Sequence, residues 1–209
     1  MVLETPKYNL DKYPEVYDPR EDTFLFLDAL EADTMFLLNL KPKIAVEIGS
    51  GSGIVITGLA FILQKSCLYF STDINYQACL ATKNSASLNN VSVECSNMDL
   101  LTGFNHNMFD IILFNPPYVV TDSEEISGNG LNCAWAGGVN GREIIDKLLC
   151  NISELLTSKG VCYMVLLKEN KPEEVVNVMS RFNFNSEIVL QRKIPGEHLY
   201  IYKFFRINQ

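Results

Sequence analysis

Lys43-Ile44-Ala45-Val46-Glu47-Ile48-Gly49-Ser50-Gly51-Ser52-Gly53 is an apolar run that ends in a glycine turn, and Ile54 to Leu63 continues it with helical spacing. A strand that feeds a helix through such a turn is the opening unit of an α/β nucleotide-type site. Missing Cβ atoms at Gly49, Gly51 and Gly53 would let backbone N–H groups approach a ligand, with the helix behind supplying a positive terminus. A tight turn without any ligand has the same spacing, so the motif sets a fold class before it sets a function.

Working outward, the alternation of strands and helices persists. Cys67 to Thr72 reads as a second strand closing on Asp73, and Tyr76 to Leu88 as a helix closed by Asn89-Asn90. Val91 to Cys95 is expected to be a short third strand, and Phe109 to Phe114 a fourth. A long loop from Val119 to Asn140 follows, of the kind that forms lids or binding loops. Beyond it the pattern predicts a helix from Gly141 to about Leu156, a strand from Gly160 to Leu167 and a helix opened by Pro172. Phe184 to Leu190 and Leu199 to Phe205, around Pro195-Gly196, predict an antiparallel hairpin.

Towards the amino terminus, residues 1–17 read as an irregular arm, with a single domain over residues 18–209. Asp18-Pro19-Arg20-Glu21 offers an N-cap, a proline at the first helical position and a reciprocal Glu. The helix expected there buries Phe24, Leu27 and Leu30, with a break near Ala32-Asp33-Thr34 before Phe36 to Leu38. The class is therefore α/β, a mostly parallel sheet with helices on both faces, and ligands in such sheets sit beyond the carboxyl ends of the strands.

The chemistry concentrates at those ends. Asp73 lies 20 residues beyond Gly53, where its carboxylate can accept both hydroxyl protons of a ribose. An NAD site would satisfy that spacing equally. Glu47, one residue inside its strand end, can meet the ammonium of a methionine moiety, and Asp99 beside Leu100 can accept from an adenine amine. Asn115-Pro116-Pro117-Tyr118 ends the fourth strand and separates the cofactors. Two adjacent prolines remove two donors and fix two φ angles, which leaves the Asn115 side chain and the Pro116 carbonyl as pre-aimed acceptors for one NH2 group. Tyr118 can pack on that planar group. A hydride-transfer site has no use for such a clamp; methyl transfer from S-adenosylmethionine does. Neither His106 nor His198 lies near these motifs, so no histidine base is expected.

The bulk numbers exclude several classes. Lys plus Arg is 17 against 25 Asp plus Glu, and a net charge of -8 opposes non-specific attraction to a phosphate backbone. The six cysteines form no C-x-x-C pair and are expected to be reduced, buried thiols rather than metal ligands. The first residues lack the apolar stretch of a signal peptide and no run reaches membrane-spanning length, so the expected location is the cytoplasm, with the nucleus as a second site.

Taken together, Tyr17-Asp18-Pro19-Arg20-Glu21-Asp22-Thr23-Phe24, Glu47 to Gly53, Asp73-Ile74-Asn75, Asn115 to Val120, Ala134 to Gly138 with Asn140 to Glu143, and Lys168-Glu169-Asn170 resemble the HemK-like protein-glutamine methyltransferases. The similarity is to the short eukaryotic branch that modifies the class-1 translation termination factor. The resemblance implies a seven-stranded class I methyltransferase fold and contacts to S-adenosylmethionine from Thr23, Glu47, Gly49, Asp73, Asp99 and Leu100. It implies that Asn115 joins cofactor and substrate sites; the stretch with Trp135, which is placed on the substrate side, is like the first motif far more specific than the glycine turn. The implied substrate is the glutamine of the factor's Gly-Gly-Gln loop. The implied partner is a small zinc-binding activator, placed here at the edge of the Val91 to Cys95 strand, where Val91, Val93 and Cys95 alternate. Adenine-N6 methylation of DNA and methylation of histone lysine are the rival enzymatic readings, and a non-catalytic scaffold is the rival from another class.

Overall fold

The computed structural model describes residues 2–126 and 134–206. Seven strands form one sheet in the order β3-β2-β1-β4-β5-β7-β6. These are β1 (Ile44–Ile48), β2 (Leu68–Asp73), β3 (Glu94–Asn97), β4 (Phe109–Phe114), β5 (Leu156–Leu167), β6 (Phe184–Ile194) and β7 (Glu197–Arg206). The first five pair in parallel, and β7 enters antiparallel between β5 and β6. Every side chain of β4 is buried, as a central parallel strand covered on both faces requires.

Two apolar layers sandwich the sheet. Helices α1 (Glu21–Ala32), α2 (Thr34–Leu40), α3 (Ile54–Leu63) and α4 (Tyr76–Leu88) cover one face, with Leu25, Phe26, Ile56 and Leu59 meeting Ala45, Ile111 and Tyr163. On the other, α6 (Glu143–Leu149), α7 (Ile152–Leu155) and α8 (Pro172–Arg181) place Ile145, Leu149 and Met179 over Val46, Ile112 and Met164. Alternate residues of one strand thus feed opposite cores. A short helix, α5 (Ser123–Ile126), lies in the long loop after β4. Because β1 sits between β2 and β4, strand order reverses there, and the crevice opens beyond the carboxyl ends of these strands.

Three sequence expectations are corrected. Helix α1 starts at Glu21, with extended Arg20 as a cap that makes no side-chain bond, rather than at Pro19. The extended backbone before it brings Tyr17 and Asp18 to the crevice, with the Arg20 guanidinium 5.8 Å from the Tyr17 ring centroid. The third strand is Glu94–Asn97, not Val91 to Cys95. Val91 N–H donates to Ala86 O at the end of α4, and Val93 is buried in the core, so neither presents a free edge. The helix expected over residues 141–156 is a 3-10 turn at Val139–Gly141 followed by α6 and α7. Glu154 and Leu155 carbonyls accept from Asn107 and Met108, and Leu156 already pairs with Phe109, so the sheet ends the helix early.

The arm up to Tyr17 has no regular secondary structure yet is packed: Leu10, Tyr13 and Val16 meet Ala78 and Ala81 of α4, and Asn89 Nδ2 donates to Lys7 O at 2.7 Å. Cys67, Cys79 and Cys162 are buried free thiols, Cys95 is half-buried, and Cys150 is exposed, contrary to expectation; Cys133 lies outside the described residues. Among the described residues no helix is long and apolar enough to cross a membrane, and no group of three or more acidic, His or Cys side chains could hold a metal ion.

Candidate functional site

A crevice of about 910 Å³ lies at the reversal point, within the roughly 300–1,000 Å³ typical of small-molecule sites. It is lined by Thr23, Glu47, Gly49, Gly51, Asp73, Asp99, Leu100, Asn115, Pro116, Pro117, Tyr118 and Trp135, which brings all the expected site residues together except Gly53. Gly53 turns at φ 77° into α3, and a Cβ there would stand 2.7 Å from Thr82 Cα. Its role is close packing of the turn on α4.

The glycine turn differs from expectation in a second way. Gly49 and Ser50 N–H both donate to Thr72 O, Gly51 N–H donates to Asp73 Oδ2 at 3.0 Å, and Gly53 N–H donates to Ser50 O. The first three amides are consumed in holding β1 to β2 and that of Gly53 in closing the turn on itself, so they form no cradle for a pyrophosphate, which argues against a dinucleotide. What the glycines offer is space: a Cβ at Gly49 or Gly51 would meet nothing within 4 Å. Asp73 also accepts Asn75 N–H at 2.8 Å, so both its oxygens are fixed at the end of β2 while keeping lone pairs for ribose hydroxyls. Burial pushes its carboxyl upward, against the two backbone bonds.

Glu47 is 3% exposed, and its Oε2 accepts Ile56 N–H at 2.9 Å at the start of α3. Burial first, and then nearby Asp73, holds its carboxyl well above the usual range; the Ile56 bond opposes this only in part. Such a carboxylate calls for a cation, and the ammonium of a methionine moiety fits. The free protein therefore has its full stability from this group below about pH 4.5 and loses it as pH rises towards the raised value. Glu47→Gln keeps the acceptor for Ile56 and removes the buried charge. We expect it to stabilise the ligand-free protein at pH 8 by about 1–2 kcal/mol and to weaken cofactor binding roughly tenfold. Melting curves of both proteins between pH 5 and 8 check this; a pH-independent difference would contradict it.

The clamp residues are built by long-range contacts. Asn115 Nδ2 donates to Asp22 Oδ2 at 2.9 Å, and the Tyr118 hydroxyl donates to the same oxygen at 3.0 Å. The Thr23 hydroxyl donates to Asp22 Oδ1 at 3.3 Å and that of Tyr17 at 3.5 Å. Asn115 Oδ1 is buried and meets no hydrogen-bond donor among the described residues. Burial, then the Asp22 charge, pushes the Tyr118 hydroxyl far up, so it stays a neutral donor to Asp22, a contact that sequence reasoning did not expect. Asn170 ties the region from behind: its Nδ2 donates to Tyr118 O at 2.8 Å and Asn140 O at 3.0 Å, and its Oδ1 accepts Leu167 N–H at 2.6 Å. Trp135 O accepts Val119 N–H, which folds the long loop back along the clamp.

Asp22 and Asn170 are the residues that sequence reasoning left without a role, although both stand inside stretches it quoted. Glu197, half-buried at the start of β7, also lines the crevice, and burial followed by the Asp22 charge raises its carboxyl.

Comparison with known proteins agrees with this geometry. The methyltransferase small domain family model matches residues 22–128. The human protein "Methyltransferase HEMK2" is 40% identical over 92% of this chain and 90% of its own length. The Schizosaccharomyces pombe "eRF1 methyltransferase catalytic subunit mtq2" is 35% identical over 99% and 97%. The E. cuniculi Mtq2-Trm112 complex, described as responsible for methylation of the eRF1 translation termination factor, superposes with a TM-score of 0.70 at 30% identity, covering 92% of this chain and 99% of that one. A seven-stranded sheet with an antiparallel tail, a crevice at its reversal point and Asn115-Pro116-Pro117-Tyr118 at the end of β4 thus coincide with near full-length kinship, and the chain belongs to the HemK-like family of class I, S-adenosylmethionine-dependent methyltransferases.

Proposed function

We propose that the enzyme methylates the side-chain amide nitrogen of the glutamine in the Gly-Gly-Gln loop of the eukaryotic class-1 termination factor, as the catalytic subunit of a heterodimer with a small zinc-binding activator. The observation that carries this reading is Asn115, whose side chain lines the crevice and whose buried Oδ1 meets no donor among the described residues. Thr23, Glu47, Gly49, Asp73, Asp99 and Leu100 would hold S-adenosylmethionine, which when bound supplies an electrophilic methyl group. Asn115 Oδ1 and the Pro116 carbonyl would accept from the target NH2 and orient its weakly nucleophilic nitrogen, a contribution of about 7–11 kcal/mol in favourable cases.

The lining charges favour a protein target. Among the described residues eight carboxylates line the crevice, with exposed Glu15, Asp18 and Glu21 among them, against the single guanidinium of Arg20. That field repels a phosphate backbone, which counts against adenine in DNA. It attracts a lysine but keeps its ammonium protonated and so non-nucleophilic. Labelled cofactor incubated with the heterodimer and termination factor is expected to mark the factor. Replacing the loop glutamine with alanine should abolish the label; label that persists, or label on duplex DNA instead, would reject the reading.

For the activator, strand β3 is at the sheet edge. It begins at Glu94 opposite Phe70, which leaves Leu68 of β2 without a ladder partner on that side and 62% exposed. Leu80 and Leu88 of α4, the helix that packs on β2 and β3, are exposed as well. We place the activator over this margin, adding a strand to β3. Leu68→Glu is expected to weaken association at least about tenfold without lowering the melting temperature of the free chain. Unchanged co-purification with the activator would move the interface elsewhere. Val93→Lys cannot serve, because Val93 is core.

A further inference from the structure

We propose that Asp22 is the positioning residue that decides which end of the Asn115 amide faces the target, and that it thereby restricts the enzyme to targets presenting an N–H donor. The two ends of an asparagine amide are nearly identical in shape and opposite in hydrogen-bonding character, so packing alone does not choose between them. Asp22 does. It is 4% exposed on the first turn of α1, 93 residues before Asn115 in the chain, and its two oxygens only accept, from Asn115, Tyr118, Thr23 and Tyr17. Asn115 can therefore bond to it only through Nδ2; the opposite orientation would set Oδ1 against Asp22 Oδ2 in a buried site, with two acceptors and no proton between them.

The same Asp22 oxygen takes the Tyr118 hydroxyl, and the other oxygen takes Thr23 and Tyr17. One carboxylate, itself at the crevice wall, thus holds both ends of the Asn115 to Tyr118 clamp and leaves Asn115 Oδ1 as its unspent acceptor. A target ending in an amide NH2 completes this arrangement, whereas a carboxylate target would bring acceptor to acceptor. The inference rests on the methyl-transfer role of Asn115 proposed above and adds the group that sets its polarity.

The test compares Asp22→Ala with Asp22→Asn in the heterodimer. Asp22→Asn is the conservative variant because the introduced amide can turn its oxygen to Asn115 and Tyr118 while its NH2 donates to the Thr23 and Tyr17 hydroxyls. Expected for Asp22→Ala are a kcat lower by about 100-fold, a cofactor Kd within about threefold of wild type, and loss of exchange protection at the Asn115 side-chain NH2 in nitrogen-15 spectra. Asp22→Asn should recover the NH2 resonances and at least about a tenth of wild-type kcat. The proposal is overturned if Asp22→Ala stays within about fivefold of wild type, if the two variants are equally impaired, or if cofactor affinity falls in step with kcat. Should the wild-type heterodimer leave the termination factor unmodified, the substrate reading fails by itself, and the Asn115 resonances still judge Asp22. If Asp22→Ala does not fold, the Asp22→Asn spectra decide.

Discussion

Asn115→Ala is expected to lower turnover by about 1,000-fold while cofactor affinity stays within about tenfold of wild type. The side chain lines the crevice and carries a buried acceptor that meets no donor among the described residues, and the nitrogen it would orient is a poor nucleophile whose lone pair is delocalised into the amide. Asn115→Asp should be as inactive, since a second carboxylate facing Asp22 at the present 2.9 Å is either repelled out of line or holds a proton. Single-turnover rates at saturating cofactor measure the first claim, and calorimetric titration the second. Turnover above about a tenth of wild type in the alanine variant would remove the clamp from the mechanism.

Gly141→Ala is expected to be the most damaging of the small substitutions. Gly141 adopts φ 65°, and its added Cβ would collide with the Tyr118 carbonyl. That carbonyl and the one of Gly141 both accept from buried Asn170, so neither side can retreat without breaking this support. The left-handed conformation alone costs about 1–2 kcal/mol, and with the collision the loss should reach about 3 kcal/mol, a fall in melting temperature of roughly 6–12 °C. Because the displaced group is the backbone of Tyr118, activity at a permissive temperature should fall as well. A variant that melts within about 2 °C of wild type would show that the loop relaxes freely.

Elements whose signals are local were legible in the chain. Ile54 to Leu63, Tyr76 to Leu88 and Phe109 to Phe114 have the bounds their periodicity predicts, and Pro172 opens α8. Departures occur where another segment claims a backbone group: distant Asn107 and Met108 take the carbonyls that would extend α7, and the neighbouring end of α4, through Ala86, takes the Val91 amide that would begin β3. The site shows the same division. Asn115, Asp73 and Glu47 announce themselves at strand ends, whereas Gly53 proves to be a packing glycine and the glycine-turn amides close onto Thr72 and Asp73.

The order of residues alone was thus enough for most of the strand and helix sequence, the position of the crevice at the carboxyl ends of β1, β2 and β4, and the strand-end side chains that line it, because each follows from local periodicity, turn chemistry and the handedness of parallel crossovers. That Asp22 on α1 and Asn170 after β5 hold the clamp emerges only in the folded chain, since residues 93 and 52 positions from their partners meet through folding and leave no mark on spacing. The polarity of the Asn115 amide is settled there too: it depends on one acceptor-only neighbour, a contact that no local pattern encodes.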